Sequence, residues 1–140
     1  MTAEDVRRLA ARHVETWQAH DAALLASTHA PKSTVDSPSA GRHEGREQIE
    51  QAYGRWLAAF PDIELHIENL VADSNQAAVF VRVTGTHRGD FMGLRATGKK
   101  IEFRCVLLQQ FEHGLITYER RVYDFSALMI QLGLLKVKPS

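Results

Sequence analysis

Hydrophobic residues recur with a helical period over the first thirty residues of the chain. Apolar side chains lie mostly three or four positions apart there, which forms one stripe along a helix. Thr2, followed three residues later by Asp5, is a typical N-terminal cap. The polar residues His20 and Asp21 interrupt the stripe and predict a bend, and Pro31 is expected to end the helix.

A second helix is predicted over residues 46–60. Its apolar stripe is nearly continuous, and Pro61 cannot continue a helix. Between the two helices, residues 33–36 predict a short extended segment, and residues 41–45 predict a loop flanked by glycines.

From residue 62 to residue 124 the period changes to two, which predicts β-strands. Two helices followed by a long antiparallel sheet define the α+β class. Such a sheet curves and covers its apolar face with the helices, which leaves a concave pocket beneath them. The predicted elements are strands at 63–67, 77–83, 101–111 and 115–123, a tight turn at 112–114, a helix at 125–132 ended by Gly133, and a tail at 136–140.

The composition is that of one globular domain. The 140 residues are 44% hydrophobic, and 17 basic residues balance 17 acidic ones. A net charge of zero argues against broad capture of nucleic acid or of an anionic membrane. No apolar run approaches the roughly 20 residues of a membrane span, and the N-terminus is acidic where a signal peptide is basic. We therefore expect a single domain over residues 1–140, located in the cytoplasm, without nucleic acid or membrane partners.

Metal and nucleotide chemistry leave no signature in the sequence. The single cysteine, Cys105, excludes an internal disulfide and a multi-cysteine metal site. The seven histidines show no spacing typical of metal ligands, and no glycine-rich phosphate loop is present. The sequence therefore predicts neither a metal site nor a dinucleotide cofactor.

Five short strings occur in a fixed order along the chain. They are Phe60-Pro61-Asp62, Gly85-Thr86-His87-Arg88-Gly89-Asp90-Phe91, Ala96-Thr97-Gly98-Lys99-Lys100, Tyr123-Asp124-Phe125 and Gln131-Leu132-Gly133. Their order and spacing resemble the SnoaL-like polyketide cyclases, also called ester cyclases. The resemblance spans roughly residues 6–135, which is nearly the whole chain.

This resemblance implies a cone-shaped barrel similar to nuclear transport factor 2 and ketosteroid isomerase. In it, a curved antiparallel sheet is packed by N-terminal helices and a short C-terminal helix around an apolar pocket for a small molecule. It further implies a homodimer formed through the sheet, and ring closure by intramolecular aldol condensation without a cofactor. Members use a carboxylate just before the C-terminal helix as general acid/base, and Asp124 stands at that position.

Asp124 and His87 are the candidate catalytic residues. An enolisation needs a base in a dry pocket, where burial raises the pKa of a carboxyl group. Asp124 would equally well cap the helix that starts at Phe125. His87 can exchange protons near neutral pH, or serve as a hydrogen-bonding turn residue between two glycines. Spacing alone does not separate these roles.

Alternation places Ile116, Tyr118, Arg120, Val122 and Asp124 on one face of the last strand. If that face lines the pocket, Arg120 binds an anionic or carbonyl-bearing substrate. If the register is locally disturbed, the charged stretch around Arg120 is solvated instead. The predicted substrate-binding residues are Trp17, Tyr53, Trp56, Phe60, Phe91, Arg104, Gln110, Tyr118 and Arg120, of which the helix aromatics have core packing as their simpler explanation.

On the preceding strand, Gln110 weighs against a cyclase that needs a second titrating group, because an amide is neither an acid nor a base. A structural thiol is the simplest role for Cys105. The two faces of this strand carry Arg104, Val106, Leu108 and Gln110 on one side, and Phe103, Cys105, Leu107 and Gln109 on the other.

Two related activities are disfavoured. Ketosteroid isomerases carry their catalytic aspartate where this chain has Ser37, and their oxyanion acid would fall near Gln109. Limonene epoxide hydrolases need an Asp-Arg-Asp set that the strand at 101–111 lacks. The predicted function is a cofactor-independent cyclase or isomerase acting on a small apolar carbonyl compound. The alternative is a non-catalytic domain that binds a small ligand or only dimerises.

Overall fold

A computed structural model describes residues 1–39 and 41–136. Helix α1 spans Ala3–Thr16 and begins at the predicted cap: the Thr2 hydroxyl accepts from the Asp5 amide, and the Asp5 carboxylate accepts from the Thr2 amide. A 3-10 turn at Trp17–Ala19 continues the helix. The helical conformation then ends at His20, which has a left-handed φ of 51°. The predicted bend is confirmed.

The predicted helix end at Pro31 is wrong. Helix α2 spans Ala22–Ser27 and is capped by Asp21. The chain then extends directly into strand β1, His29–Ser37, which is longer than the predicted segment and contains the proline. Pro31 fits there because the pairing of β1 with β6 skips from His29 to Thr34 and leaves Pro31 unpaired. The N–H that proline lacks is therefore not needed for a hydrogen bond between the strands.

Residues 41–44 form a short strand where a loop was predicted. Strand β2, Gly41–Glu44, pairs antiparallel with β1. Gly45 has a φ of 87° and lets the chain leave β2 and enter the next helix. Helix α3, Arg46–Ala59, confirms the second predicted helix.

Four long strands and a final helix follow, each close to its predicted place. Gly133, with a φ of 82°, ends the last helix as predicted, and residues 137–140 of the predicted tail lie outside the described residues. The elements are β3 (Glu64–Ala72), β4 (Gln76–Thr86), β5 (Lys100–Glu112), β6 (Leu115–Val122) and α4 (Phe125–Leu132).

The six strands form one curved sheet in the order β2-β1-β6-β5-β4-β3. Within the described residues, β1 and β6 run parallel and the other neighbouring pairs run antiparallel, so the sheet predicted as antiparallel is mixed. Strands β1 and β6 are separated in the chain by β2, α3 and three long strands, so no hairpin constrains them to run antiparallel. The α+β class is confirmed.

The core lies between one face of this sheet and helices α1 and α3. Alternate residues of β4 are buried against the helices, as the period of two requires. No helix in residues 1–39 and 41–136 is both long and apolar enough to cross a membrane. The buried hydrophobic residues of these three elements are Val6, Ala10 and Val14 in α1, Ile49, Ala52, Tyr53, Trp56 and Ala59 in α3, and Ala77, Val79, Val81 and Val83 in β4.

Candidate active site

A β-bulge reverses the predicted faces of strand β6. The register between β5 and β6 shifts between Gln110 and Phe111. One extra residue moves every following side chain to the opposite face. Ile116 and Glu119 are therefore both buried although they lie three residues apart, and Arg120 is exposed. Of the two alternatives for Arg120, the disturbed register is the one observed: Arg120 is exposed, whereas its neighbours Glu119 and Arg121 are buried rather than solvated.

Glu119 and Arg121 form an ion pair beneath the helices. Arg121 Nε donates to Glu119 Oε2 at 3.0 Å, and Gln109 Nε2 donates to Glu119 Oε1 at 2.7 Å. Burial opposes ionisation of Glu119, but the adjacent guanidinium outweighs it and holds the pKa of the carboxyl at about 2. Burial likewise disfavours the charged guanidinium, yet the Glu119 carboxylate raises the pKa of Arg121. Both groups are charged at neutral pH.

Two buried histidines flank this ion pair. His13 Nε2 lies 3.6 Å from Glu119 Oε1, and its Nδ1 lies 2.9 Å from the hydroxyl of Thr28. His29 Nδ1 lies 3.1 Å from the hydroxyl of Ser33. Burial lowers the pKa of His13, and it lowers the pKa of His29 to about 3. Both imidazoles are neutral at pH 7 and act as hydrogen-bonding groups.

Tyr53 joins the histidines to the ion pair. Its hydroxyl lies 2.6 Å from His29 Nε2, and the Arg121 Cζ atom lies 5.1 Å from its ring centroid. Burial raises the pKa of Tyr53 well above its ordinary value, so the phenol keeps its proton. We call the following set the buried polar network: His13, His29, Tyr53, Gln109, Glu119 and Arg121.

Arg121 also forms part of the wall of two adjoining cavities. The inner cavity, of about 40 Å³, is lined by Trp17, Trp56, Ile63, Leu65, Val81, Val83, Phe103, Cys105, Leu107 and Arg121. The mouth cavity, of about 460 Å³, is lined by Ser37, Ser39, His43, Ala52, Arg55, Trp56, Ala58, Asp90, Phe91, Met92 and Arg121. The two cavities share Trp56 and Arg121. A ligand in the mouth cavity would therefore meet a fixed positive charge at the entrance to an apolar interior.

His43 is the histidine of the mouth cavity. Its side chain is half-buried, and its Nε2 atom has no hydrogen-bond partner among the described residues. Burial, together with the positive charges of Arg55 and Arg121, lowers the pKa of His43. An imidazole that stays neutral and keeps a nitrogen free can accept a proton from a ligand.

Asp124 lies at the start of α4 and outside both cavities. Its Oδ1 accepts from the amide of Ala127 at 3.0 Å, and the side chain is exposed. This is the helix-capping arrangement that the sequence allowed as an alternative. The general acid/base role of Asp124 stays a prediction, and Asp124 is not among the residues that line either cavity.

His87 is fully buried at the end of β4, beside the mouth cavity rather than in its wall. The amide of Thr97 donates to His87 Nδ1 at 3.2 Å, and the hydroxyl of Thr97 lies 2.9 Å from the same atom. The imidazole packs on Phe60 with ring centroids 5.6 Å apart. The geometry gives His87 a role in fixing the loop before β5; its catalytic role stays a prediction.

Four predicted substrate-binding residues lie away from the cavities. Arg104 is exposed and pairs with Glu68 at 2.9 Å. The other three come together on the opposite, outer face of the sheet, where they border an open groove. They are Gln110, Tyr118 and Arg120.

The predicted aromatic residues are all close to the candidate site. Trp17, Trp56 and Phe91 line a cavity, Tyr53 belongs to the buried polar network, and Phe60 packs behind Trp56 with ring centroids 5.7 Å apart.

Sequence reasoning missed the charged residues of the site. Glu119 and Arg121 were hidden by the bulge, which reverses the alternation that would have placed them inside. The histidines at 13, 29 and 43 were considered only as metal ligands; in the described part of the chain, no group of three His, Cys, Asp or Glu side chains is arranged to hold a metal ion. The signal that was available is His13, which stands on the otherwise apolar buried stripe of α1.

Comparison with solved structures first assigns the fold. AclR from Streptomyces galilaeus has a TM-score of 0.86 at 24% identity, covering 99% of this chain and 91% of its own. TsrD from Streptomyces laurentii has a TM-score of 0.83 at 22% identity, covering 96% and 99%. A Catenulispora acidiphila protein with a ketosteroid isomerase-like fold has a TM-score of 0.78 at 18% identity, covering 91% and 93%. The chain shares this α+β architecture over nearly its full length.

The family follows from the sequence. The model of the SnoaL-like polyketide cyclase family matches residues 7–132, and the chain therefore belongs to that family. The resemblance drawn from the five strings is confirmed. No curated protein matches the chain.

Proposed function

We propose that the protein is a cofactor-independent enzyme that moves a proton next to a carbonyl group of a small, mostly apolar molecule, as a cyclase or isomerase does. The observation that carries the proposal is Arg121: a buried guanidinium, fixed by an ion pair with Glu119, in the wall of both cavities. A fixed charge in a water-poor site stabilises an oxyanion far better than a solvated one.

Glu119 orients Arg121 rather than acting as the base. Its two carboxylate oxygens are engaged by Gln109 and Arg121, and a carboxyl with a pKa of about 2 is a weak proton acceptor. Because Glu119 occupies the Nε atom of Arg121, a substrate oxygen in the cavity would be bound by the Nη atoms. This arrangement resembles the orientation of a catalytic group by a buried partner.

His43 is our candidate for the base, in place of Asp124. It lines the mouth cavity with Arg121 and stays neutral at pH 7. In the proposed step, His43 takes a proton from the carbon next to the carbonyl, and Arg121 holds the enolate oxygen. The enolate carbon then attacks a second carbonyl of the same molecule, one C–C bond forms, and the imidazolium returns the proton to the new alkoxide. In an isomerase the proton returns to another carbon.

Hydrogen–deuterium exchange tests the proton transfer without knowledge of the natural substrate. A panel of aryl and cyclic ketones in D₂O is incubated with the protein, and loss of the proton next to the carbonyl is followed by NMR. We expect exchange above background, reduced about 10²- to 10⁴-fold in His43→Gln and at least about tenfold in Arg121→Lys, which keeps the charge but loses the planar fork. His66→Gln, an exposed histidine beside Glu64, is the matched control and should match the unmodified protein.

A non-catalytic binding domain is the second candidate. The observation that favours it is the direction of the pKa shifts in the buried polar network: the pKa values of His13, His29 and Glu119 are lowered and those of Tyr53 and Arg121 are raised, each away from neutrality. Ketone binding without proton exchange at any pH from 5 to 9 would favour this candidate and contradict the enzyme.

We also propose that the protein is a homodimer formed through the outer face of the sheet. Apolar side chains are exposed there on adjacent strands, namely Val71, Phe80, Leu108 and Val122. The register places them in two neighbouring rows across the sheet, Val71–Ala78–Leu108 and Phe80–Val106–Val122. An exposed apolar patch of this kind is typical of an interface.

A further inference from the structure

The indole N–H of Trp17 is a buried donor without an acceptor. The residue is 5% exposed, and its Nε1 atom has no hydrogen-bond partner among the described residues. Buried polar side-chain atoms have a partner in the large majority of cases, so each exception calls for an explanation. A phenylalanine at this place would fill the same apolar wall and leave no donor unmatched.

The surroundings hold Trp17 firmly in position. The residue begins the 3-10 turn that ends α1, and its ring meets Tyr53 edge to face, with centroids 5.2 Å apart and planes at 79°. The guanidinium of Arg121 lies over the ring of Tyr53, with Cζ 5.1 Å from the centroid of that ring. Trp17 and Arg121 are therefore both fixed on Tyr53, and both line the inner cavity.

Apart from Trp17 and Arg121, the side chains that line the inner cavity carry no oxygen acceptor. These side chains are hydrocarbon except for the Trp56 indole and the thiol of Cys105, which lies 3.7 Å from the carbonyl oxygen of Val106. A volume of about 40 Å³ accommodates a small group and not a ring. The larger part of a ligand would stay in the mouth cavity, which shares Trp56 and Arg121.

We propose that Trp17 is a second hydrogen-bond donor, beside Arg121, for the carbonyl oxygen of the substrate in the inner cavity. This inference rests on the proposed function and deepens it, since it assigns the group that completes the oxyanion site. A carbonyl oxygen has two lone pairs and no proton, so one oxygen satisfies both donors. The bonds strengthen as the oxygen becomes an enolate, which makes Trp17 a catalytic residue rather than part of the wall alone.

A matched pair of ligands isolates the carbonyl oxygen. Acetophenone and α-methylstyrene have nearly the same shape, but the second carries a CH₂ group where the first carries the oxygen. Dissociation constants are measured by NMR titration of ¹⁵N-labelled protein, in which the two tryptophans give two indole signals. Trp17→Phe and Trp56→Phe assign these signals; Trp17→Phe is the test, and His66→Gln, an exposed histidine beside Glu64, is the control.

We expect acetophenone to bind roughly 3- to 10-fold more tightly than α-methylstyrene for each donor that the oxygen engages. The Trp17 indole proton moves downfield with acetophenone only. Trp17→Phe lowers this preference by roughly 3- to 10-fold, whereas His66→Gln, an exposed histidine beside Glu64, keeps it. In the ketone exchange assay, Trp17→Phe lowers the rate constant at saturation by about 10²-fold, as expected for one oxyanion donor.

The outcomes separate this inference from the proposed function. If Trp17→Phe keeps the full preference for acetophenone while Arg121→Lys loses it, Arg121 binds the carbonyl oxygen and Trp17 only packs in the cavity wall, which overturns the inference about Trp17. If the Trp17 signal moves equally with both ligands, the indole senses packing and the inference is also overturned. If the unmodified protein shows no preference for acetophenone, the proposed carbonyl site itself fails. Circular dichroism of each variant confirms that the fold is retained.

Discussion

Arg121 Nε donates to Glu119 Oε2 at 3.0 Å, and these two residues of one strand, only two positions apart, carry opposite charges into the interior of the domain. Glu119 is 0% exposed and Arg121 is 7% exposed. Moving two charges out of water is costly, so such a pair is weak evidence of a stability advantage over apolar residues. The proposed function accounts for the pair, because Glu119 holds the guanidinium of Arg121 at the cavity wall.

Removal of the Glu119 charge tests this dependence. Glu119→Gln leaves the buried guanidinium without its counter-ion, and we expect the free energy of unfolding to fall by about 3–5 kcal/mol. Urea denaturation followed by circular dichroism measures the loss. Glu102→Gln is the matched control, because Glu102 pairs with Arg82 at 3.0 Å on the surface and should cost less than about 1 kcal/mol. Equal losses in both variants would contradict the assignment.

The neutral, buried state of His29 makes stability depend on pH. Burial lowers the pKa of His29 to about 3, from 6.5 in an unfolded chain. Between these values the unfolded chain binds the proton more readily than the folded one, so the free energy of unfolding rises with pH. The stabilisation is complete above pH 6.5 and is lost as the pH falls toward 3, by up to about 1.4 kcal/mol per pH unit. Urea denaturation at pH 7, 6 and 5 measures this slope.

Two variants test whether His29 is responsible. His29→Gln removes the titrating group and should flatten the slope between pH 7 and 5, although His13 adds a contribution of the same sign. His66→Gln changes an exposed histidine and should leave the slope unchanged. An unaltered slope in His29→Gln would show that the ring is protonated in the fold, or that other groups dominate.

The sequence predicted the architecture because each element carries a local signal. The 3.6-residue period of α3, the cap at Thr2 and the glycine after α4 each depend on neighbours in the chain. The parallel pairing of β1 with β6 depends on contacts about 85 residues apart along the chain, and periodicity carries no such information.

The site was predicted less well, for one physical reason. The charged residues of the site, Glu119 and Arg121, follow a β-bulge. One extra residue of β6, between Ile116 and Tyr118, exchanges the two faces of the strand after it. The aromatic residues near the site were found because helices α1 and α3 have no such irregularity. Arg120 and Arg121 are adjacent in the sequence, and only the bulge decides which of them faces the cavity.

Substitutions of Asp124 test whether this residue only caps helix α4 or acts as the catalytic base. Asp124→Asn keeps an oxygen that accepts from the Ala127 amide, whereas Asp124→Ala removes it. We expect Asp124→Ala to lower the free energy of unfolding by about 1 kcal/mol, and Asp124→Asn to lower it by much less. Both variants should retain ketone exchange at the rate of the unmodified protein. Loss of exchange in a stable Asp124→Asn variant would instead restore Asp124 as the base and displace His43.

The proposed dimer makes Phe80 a key position on the outer face of the sheet. Its side chain is 40% exposed and pairs across the strands with Val106, at the centre of the apolar patch. We expect the unmodified protein to show twice the mass of one chain by light scattering, and Phe80→Lys to shift it to the monomer, because a charge buried at the interface must lose its water. Ile130→Lys, a matched change on α4 at 41% exposure, should remain dimeric. A monomeric mass for the unmodified protein, or a dimer that survives Phe80→Lys, would show that the outer face is not the interface.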